Sequence, residues 1–395
     1  MIKLCEQKYC TGCTACLNIC PKECIQMVQN CDGFKYPKIE QIRCVKCGLC
    51  QKVCPSLSLK KVSTKTFNQN AYAATSRKSD VLAKSASGGV FYELAKAILN
   101  EGGVVFGAAY DENMIVKHIP VYSAETLYLL QGTKYVQSDL GTCFSLVKKN
   151  LAEGRSVLFS GTPCQIAGLN GFLGREAGNL ITCDLLCKGV PSPGLFEKYL
   201  NYLKKKYHRE IKSVNFRSKK FGWGLLTDIS LDNGQRYLLK GIDDTFIRTA
   251  GSGFVREACF SCKFTSKSRI SDITIGDFWH IGEQTPYQYD TQNGVSAIIV
   301  NTKKGESLFK QIASSLRWDA RDIEEVVSGQ SSSLSHPLQK PNNYDQFFSD
   351  AIRLEYKDLG FKYLFDRSTK ARIRRCLPRK LDKYITKFIK KFRKT

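Results

Sequence analysis

The chain of 395 residues carries 60 Lys and Arg against 36 Asp and Glu, a formal net charge of +24, and 18 cysteines. Its length exceeds what one hydrophobic core usually serves, so two or three domains are expected, and no stretch reaches the roughly 18 consecutive apolar residues of a membrane span. Thirteen of the basic residues fall in 366–395, against Asp366 and Asp382, which disfavours a globally basic nucleic-acid binder and favours a moderately basic body with a basic tail.

The most specific signal comes first in the chain: Cys10-x2-Cys13-x2-Cys16-x3-Cys20-Pro21, repeated as Cys44-x2-Cys47-x2-Cys50-x3-Cys54-Pro55. Cysteines three apart in a tight loop can each aim a thiolate at a different iron of one [4Fe-4S] cubane, while the fourth lies too far along to close the same cluster. The last ligand is therefore exchanged. Cys10, Cys13, Cys16 and Cys54 are expected to hold one cluster, and Cys44, Cys47, Cys50 and Cys20 the other. Tetrahedral zinc asks for no third cysteine at that spacing. Residues 1–60 resemble the bacterial two-cluster ferredoxin module at all eight ligand positions. Met1-Ile-Lys-Leu-Cys5 runs straight into the motif and leaves no room for a signal peptide, so a secreted disulfide framework is disfavoured and a cytoplasmic, reducing setting is expected.

Leu57 to Asn70 is polar and reads as a linker. Ser85 to Leu99 has a Gly-rich start followed by Val90, Leu94, Ala97 and Ile98 at helical spacing. Gly102 to Tyr110 reads as a buried strand, Cys143 to Glu153 as a helix, Ser156 to Ser160 as a strand and Leu180 to Leu186 as the next. Helices alternating with apolar strands predict an α/β layer. Beyond residue 210 the character becomes α+β: Leu226 to Leu231 alternates, Asn233-Gly234 signals a hairpin, and Gln235 to Leu239 returns.

Cys164 lies where a strand meets a turn and a new helix, in Ser160-Gly-Thr-Pro-Cys-Gln165, and Cys187 follows the next strand. In an α/β sheet the carboxyl ends of neighbouring parallel strands line one crevice, so both thiols can face one point. Cys259-Phe-Ser-Cys262 supplies a further pair. These four could bind one more cluster, or Cys164 and Cys187 could be buried small hydrophobes and Cys259/Cys262 half a zinc site. Cys183 sits four strand residues before Cys187, about 13 Å along an extended strand, and reads as packing.

Residues 71 to about 310 resemble the coenzyme F420 hydrogenase/dehydrogenase beta-subunit family of FAD-containing iron–sulfur flavoproteins. The matching stretches are Ser87-Gly-Gly-Val90, Gln131-Gly-Thr-Lys-Tyr-Val-Gln137, Ser160-Gly-Thr-Pro-Cys-Gln165, Cys187-Lys-Gly-Val-Pro-Ser-Pro193, Phe216-Arg217, Cys259-Phe-Ser-Cys262 and Arg269-Ile-Ser-Asp-Ile-Thr-Ile-Gly-Asp-Phe-Trp279. The resemblance implies a third [4Fe-4S] cluster on Cys164, Cys187, Cys259 and Cys262, and bound FAD. The fusion to a ferredoxin module is similar to the electron-input subunit of F420H2 dehydrogenases. The expected architecture is α+β / α/β and multidomain. A ferredoxin-type domain (1–60) and linker (61–70) precede a mixed α/β flavin and iron–sulfur region in two parts, 71–150 and 151–330, the second with the third cluster. A basic helical tail (331–395) follows.

For the flavin, Ser87-Gly88-Gly89 before a helix offers N–H groups and a positive helix end to a pyrophosphate, although it is not the G-x-G-x-x-G fingerprint. Lys134 could neutralise a phosphate and Tyr135 stack on a flavin ring, with a solvated lysine and a core tyrosine as the bland alternatives. Thr162 completes the cofactor-contact set. Asp272 and Asp277 read as orienting groups rather than acids, and the four histidines form no nucleophile–base constellation. The function expected is an FAD- and iron–sulfur-dependent oxidoreductase, passing electrons between F420 or another two-electron partner, FAD and the clusters. The alternative is a non-catalytic electron-transfer subunit for a partner enzyme, with a role in cell-surface polysaccharide biosynthesis among the options. After Pro378, Leu381, Tyr384, Ile385, Phe388, Ile389 and Phe392 recur at helical spacing amid lysines, so the tail is expected either to make peripheral contact with an anionic membrane or to dock that face onto the protein's own surface or a partner.

Overall fold

Both cysteine repeats are bent by the same device. Gly12 and Lys46, two residues after the first cysteine of each repeat, have φ +70° and +55°, and Thr14 and Gly48, two further on, have φ +59° and +73°. Alternating left-handed residues turn successive N–H groups and side chains toward one concave point, the geometry of an anion nest. Each run then closes on one helical turn, Ala15–Asn18 and Leu49–Lys52. Between them β1 (Ile25–Gln29) and β2 (Lys35–Ile39) form an antiparallel hairpin. This is a computed structural model, which describes residues 2–57, 67–174, 177–366, 368–369 and 371–372.

The body is organised on an eight-stranded mixed sheet built from β3 (Asn70–Ser76), β4 (Val104–Tyr110), β5 (Val116–Val121), β6 (Val157–Gly161), β7 (Leu180–Leu185), β11 (Ile273–Asp277), β12 (Ser296–Val300) and β13 (Leu316–Arg321). Their order is β13-β3-β12-β11-β7-β6-β4-β5. The centre, β4-β6-β7-β11, is parallel, and the flanks are antiparallel. Central strands covered on both faces must be apolar throughout, and Val157-Leu-Phe-Ser-Gly161 is buried along its whole length. The intervening β8 (Ile211–Asn215), β9 (Leu226–Leu231) and β10 (Arg236–Lys240) form a separate antiparallel sheet. Gly234 at φ +83° makes its hairpin turn, as Asn-Gly predicts.

The helix expected after the Gly-rich entry runs over Val90–Asn100, with Gly89 left-handed at φ +81° before it and Ser85 extended. Residues 344–364 lie in the stretch expected as basic tail, yet Tyr344, Phe347, Phe348, Tyr356 and Leu359 are buried in a core shared with the helix Pro193–Tyr207. Aromatics at spacings of three and four give that segment an apolar face. The amphipathic run after Pro378 lies outside the described residues, as does Cys376. Among the described residues no helix is long and apolar enough to cross a membrane.

The hairpin tip is embedded in the body. Phe34 is fully buried in the core with Tyr344 and Phe348, its ring 6.3 Å from that of Phe348. Gly33 and Gly194 are close enough that a Cβ on Gly33 would stand 2.9 Å from Gly194 Cα.

Candidate functional site

Cys10, Cys13, Cys16 and Cys54 line an empty volume of about 330 Å³ together with Cys5, Met27 and Pro37. Cys20, Cys44, Cys47 and Cys50 line a second of about 340 Å³, with Cys24, Ile2, Ile39 and Val45. Cys54, from the second repeat, thus stands in the first cavity, and Cys20, from the first repeat, in the second. Among the described residues no three His, Cys, Asp or Glu side chains converge as a lone metal ion requires. Thiols spread around a largely apolar hollow fit a multi-atom cluster instead.

Sequence reasoning missed Cys5 and Cys24 as cavity residues. Cys5 stands with Cys10 and Cys54 on the first cavity and holds both their thiols below the usual range. Cys24 Sγ lies 3.4 Å from Cys20 Sγ. The only available signal was their closeness in sequence to the motifs. Burial pushes the Cys13 thiol up to about 12, so its thiolate depends on cationic charge such as iron supplies.

The third constellation follows from the sheet register. Gly161 of β6 is paired with Asp184 of β7, and Cys164 and Cys187 each come three residues after that pair. Cys259 and Cys262 arrive on the short 3-10 turn Glu257–Ser261 and its end. The four thiols are electrostatic neighbours: Cys164 faces Cys187 and Cys262, and Cys259 faces Cys164 and Cys262. Burial pushes Cys187 and Cys259 up to about 12. Cys164 sits in the first turn of the helix Pro163–Leu173, which Thr162 and Gln165 close with a reciprocal capping box. Thr162 Oγ1 is 3.2 Å from Cys164 Sγ. Burial pushes the Cys164 thiol up, against the lowering that Thr162 supplies, so its thiolate too depends on nearby cationic charge. Cys183 is fully buried in the sheet core, apart from these four.

Two buried arginines organise this region. Arg269 pairs with Asp184 at 2.8 Å and donates to the carbonyls of Phe264 and Ser266, fixing the loop after Cys262. Arg256, only 1% exposed, donates to the carbonyls of Cys10 and Lys35 and to Gln137 Oε1 at 2.5, 3.0 and 2.8 Å. Its guanidinium lies 4.2 Å from the Tyr36 ring centroid, and its carbonyl accepts from the Cys259 amide. Arg256 therefore touches both the first cavity and the third constellation. Cys13 is an electrostatic neighbour of Cys164, and a Cβ on Gly168 would stand 2.8 Å from Cys13 Sγ.

The expected flavin contacts are distributed more widely. Ser87 Oγ donates to the Val295 carbonyl, and the Gly88 amide to Ser296 Oγ. Gly88 is pressed so closely on β3 that a Cβ would stand 2.2 Å from the Ala74 carbonyl oxygen, and Gly89 caps the helix Val90–Asn100. Lys134 is half-buried and donates to the carbonyls of Leu129 and Gln131. Burial alone lowers it to about 7. Tyr135 accepts at its hydroxyl from Arg217 and meets Phe216 edge-on. Nearby buried polar atoms without a protein partner are His118 Nδ1, Gln131 Nε2 and Tyr110 OH.

A group not foreseen lies beyond the end of β11. Arg217 grips Asp277 with two hydrogen bonds of 2.6 and 2.7 Å, and Trp223 Nε1 donates to the same carboxylate. Trp223 and Trp279 are stacked at 4.7 Å with 5° between planes. Lys219 donates to the carbonyls of Leu82 and Ser87 at 2.6 and 2.5 Å, and burial, then Arg217, lowers it to about 7. Neither Lys134 nor Lys219 has an ion-pair partner among the described residues. An anion such as a dinucleotide phosphate would supply one. Asp272 accepts from Thr182 and Thr302. Asp272 and Asp277 thus orient neighbouring groups, while His280 is exposed against Glu283 at 2.9 Å.

Residues 154–326 match the family model for the C terminus of the coenzyme F420 hydrogenase/dehydrogenase beta subunit. Residues 9–57 match the 4Fe-4S dicluster domain. No curated protein matches the chain. Among solved structures, a chain of the F420-reducing [NiFe] hydrogenase complex from Methanosarcina barkeri, from a xenon-derivatization study, is 18% identical. The alignment covers 74% of this chain and 89% of that one, at a TM-score of 0.45.

Proposed function

We propose that this chain, which joins a 4Fe-4S dicluster domain to the C-terminal region of the coenzyme F420 hydrogenase/dehydrogenase beta subunit, is a cytoplasmic iron–sulfur flavoprotein oxidoreductase. Electrons pass between a two-electron partner, F420 or a substitute, FAD and three [4Fe-4S] clusters. The observation that carries the reading is the packing of the helix Pro163–Leu173, which bears Cys164, against Cys13, where a Cβ on Gly168 would stand 2.8 Å from Cys13 Sγ; it supports a continuous order of centres: the Cys164/Cys187/Cys259/Cys262 site, then the Cys10/Cys13/Cys16/Cys54 site, then the Cys44/Cys47/Cys50/Cys20 site.

When bound, FAD supplies the exchange between paired and single electrons. Lys219, which donates to the Ser87 carbonyl beside Gly88-Gly89, and Lys134, on the Leu129 and Gln131 carbonyls, are the lysines offered to its phosphates, and Thr162 stands between the β6 end and Cys164. The Arg217–Asp277 pair keeps Tyr135 and the Trp223/Trp279 stack in place as planar surfaces. Cys164→Ala, prepared without oxygen, is expected to lose about four of about twelve irons and keep the dicluster signals. Unchanged iron would remove the third cluster from the proposal. Acid denaturation of reconstituted protein is expected to release FAD. Failure to detect it would leave an electron-transfer subunit serving a partner enzyme. Assaying F420H2, NAD(P)H and reduced ferredoxin in turn identifies the donor.

A further inference from the structure

The two cavities of the dicluster domain differ in what surrounds them. The first lies against the body: Cys10 and Cys13 are 7% and 8% exposed, with the helix Pro163–Leu173 and Arg256 against them, while Cys16 and Cys54 are half-buried. The second has one exposed thiol, Cys47, beside half-buried Cys20 and Cys44 and buried Cys50. The loop carrying Cys44 and Cys47 also carries Ile42 at 97% exposure and Val45 at 57%. Val45, Ile2 and Ile39 form the wall of that same cavity. Ile42 alone would be an ordinary surface residue, but here the apolar surface and the cavity wall coincide.

The surrounding charge is mainly positive. Lys22, Arg43 and Lys46 are all exposed, and Arg43 donates to the Lys22 carbonyl at 3.0 Å, which joins the two segments into one rim. Of the acids nearby, Glu40 is paired with Arg43 at 3.3 Å, and Glu23 is the other. A small apolar centre with a cationic rim is the form of a transient electron-transfer contact, in which charge governs encounter and a small dry area governs approach.

We propose that the Ile42/Val45 surface, rimmed by Lys22, Arg43 and Lys46, is the docking port through which the second cluster exchanges electrons with an acidic one-electron carrier protein. One electron crosses in each encounter. The carrier is reduced by one as the cluster is oxidised by one, or the reverse, with no bond formed and no proton moved. The port deepens the proposed function by naming its partner class, and it rests on the second dicluster centre rather than on FAD or the third cluster.

The test uses the full chain, reconstituted without oxygen and reduced with dithionite, then mixed in a stopped-flow instrument with an oxidised acidic flavodoxin. Benzyl viologen, a small dye, and cytochrome c, a basic carrier, serve as comparisons. The second-order rate with flavodoxin is expected to fall as salt rises, and to drop at least about tenfold in Ile42→Asp/Lys46→Glu. The dye rate should stay within about twofold, and cytochrome c should react no more slowly. An unchanged flavodoxin rate, or equal losses with all three acceptors at full iron content, would overturn the port. Should the double variant lose iron, Ile42→Asp alone decides, since that side chain is almost wholly in solvent. A preparation lacking FAD would overturn the functional reading while leaving this comparison intact.

Discussion

A buried guanidinium with three acceptors is both a clamp and a fixed charge, and Arg256 separates the two roles experimentally. Arg256→Met leaves the Cys10 and Lys35 carbonyls unpaired, at about 1–3 kcal/mol each, and removes the cation beside the first cluster. Its potential is expected to become more negative by an amount on the order of 59 mV, a tenfold shift in the oxidised-to-reduced ratio for one electron. Arg256→Lys keeps the charge but cannot span three acceptors, so it should recover the potential and not the stability. Potentiometric EPR beside denaturant unfolding checks both. Lys219 is the second instructive residue. Its folded pKa of about 7 lies below its ordinary 10.5, so the unfolded chain holds more protons between those values and stability rises with pH across that window. A phosphate bound there would retain the proton. FAD affinity is therefore expected to weaken by up to about tenfold per pH unit above pH 7, with Arg217 and Asp277 as fixed neighbours. Lys219→Met should flatten that dependence, measured by fluorescence titration of flavin.

At the scale of elements, the helix Pro163–Leu173 presents Cys164 at one end and small residues along its side. A Cβ on Gly171 would stand 2.5 Å from the Val53 carbonyl oxygen, whereas one on Gly178 meets nothing within 4 Å. Gly171→Ala is thus expected to destabilise the junction by about 1–3 kcal/mol through overpacking, and to expose the dicluster domain to limited proteolysis, with Gly178→Ala as the silent control. The strands feeding this helix were readable beforehand, because apolar runs such as Val157-Leu-Phe-Ser and Leu180-Ile-Thr-Cys have no other use in an α/β layer. So was the hairpin at Asn233-Gly234. The pairing of β3 between β12 and β13 was not readable. It joins residues more than 200 positions apart, and nothing local in Ala71-Tyr-Ala-Ala74 specifies those neighbours. Arg217 was visible as part of a motif, but its hold on Asp277 across 60 residues depends on the fold.

For the whole molecule, the cysteine repeats announced their own cavities because ligand spacing is local chemistry. The docking of the hairpin tip through Phe34 carried no such signature, since a single buried aromatic looks like any other apolar residue. The charge balance raises a separate question of location. Thirteen basic residues in 366–395 concentrate the positive charge where Leu381, Ile385, Phe388 and Phe392 recur at helical spacing. Anionic lipid attracts such a segment by about 1 kcal/mol for each basic residue near the surface, with apolar burial adding to it. Screening limits that attraction to roughly 8 Å at physiological salt, so only basic residues held close to the lipid surface contribute to it. The full chain is expected to sediment with phosphatidylserine-containing vesicles at low salt and to be released as salt rises. A chain ending at Arg375 should stay in the supernatant. Equal binding by the shortened chain would assign the contact to the body, and sedimentation with neutral vesicles alone would leave apolar burial as its cause.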